Sequence, residues 1–301
     1  LLKMSSTQMG ATMLHIETPL FFHHQLSTAQ QQVYLKMDCF QPTGSFKIRG
    51  IGALCEQLAR QGAKGFLSSS GGNAGLAVAY AGKHLAIQTT IVVPNTTTER
   101  VCERMRALQA KVIRHGDVWD DSDRYARRMA LEQGWSYIHP FDNPVLWRGH
   151  ASLIRELKAQ GPKPDVLVCS VGGGGLLCGV LEGLYEQNWS DVEVVAVETT
   201  GAASLRASVQ AGALVSIPAI TSIAKTLGAR QVASRAYQWT KEHSIHCLEV
   251  SDRQALTACM ELGDEFQVLV EPACGAAYAA LFLAADIVRK AQRISVIVCG
   301  G

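Results

Sequence analysis

The sequence predicts an α/β protein of two domains, each with a parallel sheet flanked by helices. Three observations carry this. Short β-branched runs alternate with longer amphipathic stretches along the chain. The strand-like runs, such as Val166-Leu-Val-Cys169 and Val296-Ile-Val-Cys299, are apolar throughout, the pattern of strands covered on both faces. Glycine-rich loops stand where a strand-like run gives way to a helix-like one, which is where open α/β sheets bind their ligands.

In chain order, strands are expected over 33–37, 65–68, 89–93, 111–114, 166–170, 192–198, 245–250 and 294–299. Helices are expected over 48–60, 73–84, 99–108, 120–133, 146–160, 176–185, 202–211, 229–242, 252–266 and 273–291. The sequence shows no repeat, low-complexity tract or long linker. Two domains must then share a tight interface with a ligand cleft between them. A small domain over 52–142 is expected, inserted into a large one built from 1–51 and 143–301.

Composition narrows the function. The chain has 301 residues, 48% hydrophobic, with 28 basic and 26 acidic residues and a net charge of +2. It carries no basic block or basic–aromatic stripe, so nucleic acid is not an implied partner. No apolar run approaches the ~18 residues of a membrane span, and the first residues do not read as a secretory signal. The nine cysteines are odd in number and form no CxxC. They read as buried free thiols, and a cytoplasmic location is expected.

Four stretches carry chemistry. In Gln41-Pro-Thr-Gly-Ser-Phe-Lys-Ile-Arg-Gly50 a turn leads into a helix with Lys47 at its start. A helix N-terminus disfavours a charged amine, and a lysine with lowered pKa is the kind that forms imines. In Ser68-Ser-Ser-Gly-Gly-Asn-Ala-Gly75, hydroxyls and free N–H groups at a helix start make an anion site, beside the simpler role of a helix cap. Ser170-Val-Gly-Gly-Gly-Gly-Leu-Leu-Cys-Gly179 reads as a phosphate cradle. It misses the dinucleotide GxGxxG, because the third glycine position falls on Cys178 or Leu177, and it has no P-loop Lys-Ser or Lys-Thr. Glu198 nevertheless ends the next strand, where a ribose-binding acid would sit, which keeps an NAD oxidoreductase as an alternative. The fourth stretch, Ile294-Ser-Val-Ile-Val-Cys-Gly-Gly301, is a buried strand that ends in Cys299.

Together these stretches resemble the fold-type II pyridoxal-5′-phosphate (PLP) family, and within it the serine/threonine dehydratases of the animal type. Trp147-Arg-Gly-His-Ala-Ser152, Ser222-Ile-Ala-Lys-Thr-Leu-Gly228 and Val270-Glu-Pro-Ala-Cys-Gly275 extend the resemblance over nearly the whole chain. It implies an enzyme that turns L-serine into pyruvate and ammonia, and L-threonine into 2-oxobutanoate and ammonia.

The resemblance also implies residue roles. Lys47 holds the cofactor as an imine and later moves the α-proton. Phe46 packs on the ring, and Asn73 bonds its phenolic oxygen. Ser70, Gly71, Gly72, Asn73 and Ala74 hold the substrate carboxylate. Gly172, Gly173, Gly174, Gly175 and Leu176 hold the phosphate. Cys299 faces the pyridine nitrogen, and Ser70 or the cofactor phosphate protonates the departing hydroxyl. A monovalent cation, expected to be potassium, would bind Glu198 and the carbonyls of Gly172, Ala202, Leu227 and Ala229. A homodimer is implied as well. A neutral thiol at the ring nitrogen makes the ring a weaker electron sink than a carboxylate would, which favours elimination over transamination.

Gly71 stands where some of these dehydratases carry Ala, so a looser loop and a weaker or less selective enzyme are expected. The sequence ends at Gly301 without a regulatory domain, so no isoleucine feedback is expected. Cysteine synthase-like or threonine synthase-like enzymes are close alternatives that share Lys47. A non-catalytic binding protein on the same scaffold is the remaining class. His243 and His246 are read as structural, His23 and His24 as exposed loop, and Asp117, Asp120, Asp121 and Asp123 as a solvated helix start rather than a calcium loop.

Overall fold

The computed structural model describes residues 13–283 and 285–300. Its elements are, in order, β1 (Leu20–Phe22), β2 (Gln32–Lys36), α1 (Lys47–Arg60), β3 (Phe66–Ser68), α2 (Asn73–His84), β4 (Thr89–Val93), α3 (Glu99–Ala107), β5 (Lys111–Arg114), α4 (Trp119–Gln133), β6 (Ser136–Tyr137), α5 (Pro144–His150), α6 (Ser152–Gln160), β7 (Val166–Ser170), α7 (Gly175–Glu186), β8 (Glu193–Thr199), α8 (Ser204–Ala211), α9 (Ser234–Glu242), β9 (Ile245–Val250), α10 (Asp252–Phe266), α11 (Pro272–Ala279), α12 (Asp286–Lys290) and β10 (Arg293–Ile297).

The strands form two sheets. One has six strands in the order β1-β2-β10-β7-β8-β9, and the other has four in the order β5-β4-β3-β6. All pairings are parallel except β1 with β2. The larger sheet is therefore mixed rather than purely parallel. Every residue of β7 and of β4 is buried, the physical reason those runs are apolar without alternation. The four strands of the smaller sheet lie between Phe66 and Tyr137, while the larger sheet draws on both ends of the chain. The boundary expected after residue 51 falls inside α1, one unbroken helix. The other falls at Asn143, whose side chain caps α5 by accepting from Val145 N.

Two expected helices are divided. The 146–160 stretch is α5 and α6, which meet at Ala151. The 273–291 stretch is α11, a 3-10 turn over Ala280–Phe282 and α12. Strand β1 was not expected. Its neighbour His23 is fully buried, not an exposed loop residue. Its imidazole contacts Tyr278 Oη at 2.7 Å and Glu265 Oε1 at 3.1 Å.

A buried ion cluster locks α1 in place. Arg49 Nε donates to Asp38 Oδ2 at 2.7 Å, and Lys36 Nζ to Glu156 Oε2 at 2.6 Å. Arg49 also reaches Glu156 on α6 and Ser152. These paired charges fix the helix that carries Lys47 against the large sheet; removing one partner would strand a buried charge.

Candidate active site

Four helices point their N-termini at one cleft. They are α1 at Phe46–Lys47, α2 at Gly72–Asn73, α7 at Gly174–Gly175 and α11 at Glu271–Ala273, and these residues line a cavity of about 290 Å³. Each N-terminus contributes partial positive charge and unpaired N–H groups, so the cleft suits an anionic guest. The strands β3, β7 and β10 end at the same cleft, through Ser70, Ser170 and Cys299.

Lys47 is the first residue of α1. Its Nζ donates to Pro140 O at 2.8 Å and lies 5.1 Å from the centre of the Phe46 ring. It is half-buried in the wall of the cleft. Burial pulls the amine down from 10.5 to about 8, against the opposing pull of Glu271 and Cys299. An amine at this value is far more often neutral, and so nucleophilic, than an ordinary lysine.

The four glycines are each explained by what lies beside them. A Cβ at Gly172 would sit 2.9 Å from Leu227 Cα, and one at Gly173 would sit 2.3 Å from the Phe141 ring. One at Gly174 would sit 2.5 Å from Ala236 Cβ, and one at Gly175 would sit 2.7 Å from Phe141 O. Gly174 also has φ +84°, left-handed backbone that disfavours a side chain. The N–H groups of Gly172, Gly173 and Gly174 donate to no protein acceptor among the described residues. A glycine-only loop with unpaired N–H groups, opening onto a helix N-terminus, fits a phosphate.

The second loop behaves alike. Gly72 N donates to Ser70 Oγ at 3.3 Å, so Ser70 organises the turn into α2. A Cβ at Gly75 would sit 2.0 Å from Ser70 O, which shows how tightly that turn is closed. Asn73 does more than face the cleft. Its Nδ2 donates to Glu271 Oε1 at 2.8 Å.

Cys299 Sγ lies 3.4 Å from Ser170 Oγ. Its carbonyl accepts from Phe46 N at 2.9 Å, which ties the end of β10 to the start of α1. Behind Phe46, with ring centres 4.9 Å apart, His150 is fully buried, and neither ring nitrogen has a hydrogen-bond partner among the described residues. Burial, then the charge of Lys47, holds it well below the usual histidine value, so it is neutral.

The structure thus brings Phe46, Lys47, Ser70 to Ala74, Gly172 to Leu176 and Cys299 around one cavity, together with Leu227 and Ala229. Glu198 and Ala202 do not line it. The Glu198 carboxylate instead accepts from Leu205 N and Arg206 N, both at 2.8 Å, at the start of α8. It therefore does not occupy the place of a ribose-binding acid in this cleft. Burial raises it to about 7.

Sequence reasoning missed several lining residues. Glu271 is the cavity's acidic residue. Burial raises its pKa, while Thr226, Asn73 and Lys47 pull the other way. The Glu-Pro pair that opens α11 was its available signal, since Pro suits a first helical position. Thr97, Trp119, Phe141 and Lys225 also line the cavity, but only chain folding brings them there. His243 Nε2 donates to the backbone carbonyl of Val192 at 2.8 Å, and His246 pairs with Glu193. No cluster of three metal-ligating side chains occurs among the described residues.

Comparison with known proteins agrees with this geometry. The family model described as "pyridoxal-phosphate dependent enzyme" matches residues 11–300. The chain belongs to that family. It is 46% identical to the human L-serine dehydratase/L-threonine deaminase, covering 97% of this chain and 93% of that protein. It is 45% identical to the human serine dehydratase-like protein, over 95% of this chain and 90% of that one. Among solved structures, a fungal L-serine ammonia-lyase from Rhizomucor miehei matches with a TM-score of 0.91 at 37% identity, covering 96% of this chain and 94% of that one. In this PLP enzyme the glycine loop, the four helix N-termini and a lysine with depressed pKa fit the cofactor's phosphate and aldehyde.

Proposed function

We propose that this PLP enzyme eliminates water and ammonia from L-serine, giving pyruvate, and from L-threonine, giving 2-oxobutanoate. The observation that carries the reading is the Lys47 amine, poised at about 8 at the head of a cleft built for anions. The relatives named as serine dehydratases and a serine ammonia-lyase support it.

When bound, PLP supplies an aldehyde that condenses with amines and a ring that withdraws electrons from the α-carbon. The protein does the rest. Gly172 to Leu176 would hold the phosphate through backbone N–H groups. Phe46 would pack on the ring, and Asn73, itself held by Glu271, would bond its phenolic oxygen. Ser70 to Ala74 bind the substrate carboxylate at the start of α2, which fixes the α-C–H bond toward Lys47. The neutral amine of Lys47 takes the α-proton. The Ser70 hydroxyl or the cofactor phosphate would protonate the departing β-hydroxyl. The enamine so formed tautomerises to an imine, and water replaces its nitrogen, releasing ammonia. Cys299 would put a thiol rather than a carboxylate beside the ring nitrogen, which would leave the ring a weaker electron sink.

A monovalent cation, potassium, is part of the same proposal. Glu198 is a buried carboxylate without a salt-bridge partner among the described residues. The Ser204 hydroxyl nearby in sequence is buried and unpartnered. Leu227 backs directly on Gly172. An all-oxygen set of Glu198, Ser204 and the carbonyls of Gly172, Ala202, Leu227 and Ala229 fits a hard cation. A homodimer in the cytoplasm completes the proposal. The nine free cysteines suit a reducing compartment.

The test is L-serine added to purified protein loaded with PLP. Pyruvate release, with loss of both the yellow band and activity in Lys47→Ala, is expected. A yellow band without pyruvate would move the reading to a β-replacement enzyme. Activity surviving in Lys47→Ala would overturn it.

A further inference from the structure

Ser170 and Cys299 stand at the carboxyl ends of neighbouring parallel strands. Ser170 closes β7, and Cys299 lies two residues past β10. Both line the cleft, both are buried, and Oγ lies 3.4 Å from Sγ. The Ser170 hydroxyl has no other hydrogen-bond partner among the described residues. One hydroxyl proton and one thiol proton must therefore be placed between two atoms and an open cleft. A hydroxyl is a good donor and costs more when left undonated, whereas a thiol is weak in both roles. The arrangement that serves both has Ser170 O–H donating to Sγ, with the thiol's own proton turned into the cleft.

A second thiol closes off the alternative. Cys274 lies beside Cys299 on the protein side. It is buried, and burial raises it well above an ordinary thiol, so it keeps its proton. With the Ser170 hydroxyl on one side of Sγ, the cleft that Cys299 lines is the open direction for S–H.

We propose that Ser170 is a positioning residue that turns the Cys299 thiol so that it donates to the cofactor's ring nitrogen. This rests on the placement of Cys299 at that nitrogen in the proposed function. A ring nitrogen that accepts a hydrogen bond carries no proton of its own. Ser170 would then help to set the ring's modest electron demand, and so the outcome of the reaction, without touching substrate.

The experiment reads the proton directly. The S–H stretching band is recorded by infrared spectroscopy for wild-type protein and for Ser170→Ala, each without cofactor and loaded with PLP. A Cys299→Ser difference spectrum assigns the band. The expected result has three parts. Without cofactor the two bands coincide, because S–H faces the cleft in both. Loading lowers the wild-type band and shifts the Ser170→Ala band less. PLP affinity falls about 2- to 10-fold in Ser170→Ala, the worth of one hydrogen bond. A cofactor-free band that moves up in Ser170→Ala would show that the thiol had been donating to serine, and the inference would fall. Equal shifts on loading, or undiminished affinity, would also overturn it while leaving Cys299 at the ring nitrogen. Loading that shifts neither band would remove Cys299 from that nitrogen, and the placement itself would fail.

Discussion

Replacing Glu271 by glutamine isolates the electrostatic control of Lys47. The amide oxygen can still accept from Asn73 Nδ2, which now donates to Oε1 at 2.8 Å. Shape and hydrogen bond survive while the charge is lost. In the native protein, burial lowers the lysine from 10.5 to about 8, and Glu271 is the foremost group resisting that fall. At pH 7 an amine titrating at 10.5 is neutral about 0.03% of the time, and one at 8 about 10% of the time, a gain of about 300-fold in nucleophile. Removing the carboxylate takes away the main support of the charged form, so the midpoint drops further. The assay is the rate at which cofactor-free protein captures PLP, followed by the rise of the yellow band in stopped flow between pH 5.5 and 10. Wild-type capture should rise with pH to a plateau with its midpoint near 8. Glu271→Gln should reach its plateau at lower pH and capture severalfold faster below pH 7. A wild-type midpoint near 10, or a midpoint raised by Glu271→Gln, would refute the reasoning.

Other expectations follow from close contacts and buried charge. Gly173→Ala would put a Cβ 2.3 Å from the Phe141 ring, so PLP affinity should fall at least about 10-fold with helix content unchanged by circular dichroism; Gly173→Ala/Phe141→Ala should recover part of it. Gly71→Ala would put a Cβ 2.5 Å from Thr97 Oγ1. The single change should therefore raise KM for serine, and Gly71→Ala/Thr97→Ala should restore it, in steady-state kinetics. Here the structure alters the simple view that Ala at 71 tightens the loop, because Thr97 occupies the space. Glu198 titrates at about 7 when folded, against an ordinary 4.5. The folded state then holds the proton more tightly than the unfolded state, so in a cation-free buffer stability falls as pH rises from about 4.5 to about 7 and is level above, by about 3 kcal/mol at most. Potassium should reverse this, raising the melting temperature more at pH 8 than at pH 5.5. Equal stabilisation at both pH values would detach the cation from Glu198.

Much of the site could be read from local sequence because its parts are helix starts. Lys47, the serine–glycine loop at Ser70 and the glycines at 172–175 each combine a strand end, a flexible turn and a helix N-terminus within a few residues. Those features follow from short-range rules of turns and caps, and the resemblance supplied the chemistry they serve. The buried strands β4 and β7 were equally plain, since full burial leaves an unbroken apolar run. Strand β1 was not, because three residues on a sheet edge leave too short a pattern. The boundary expected after residue 51 lies within α1, and nothing in the local pattern marks a point inside an unbroken helix.

What the sequence by itself determined is the family, the alternating architecture and which glycine-rich loops open onto the cleft. Tertiary structure alone decided how charge and protons are arranged among those loops. Glu271 reaches Asn73 and influences Lys47 from more than a hundred residues away in the chain. Ser170 meets Cys299 only because β7 and β10 are neighbours in the sheet. Thr97 limits Gly71, Phe141 limits Gly173, and Glu198 turns to the start of α8. Such contacts join residues with no local relation, and in a buried cleft their effect depends on distance and dielectric, which the order of residues does not express.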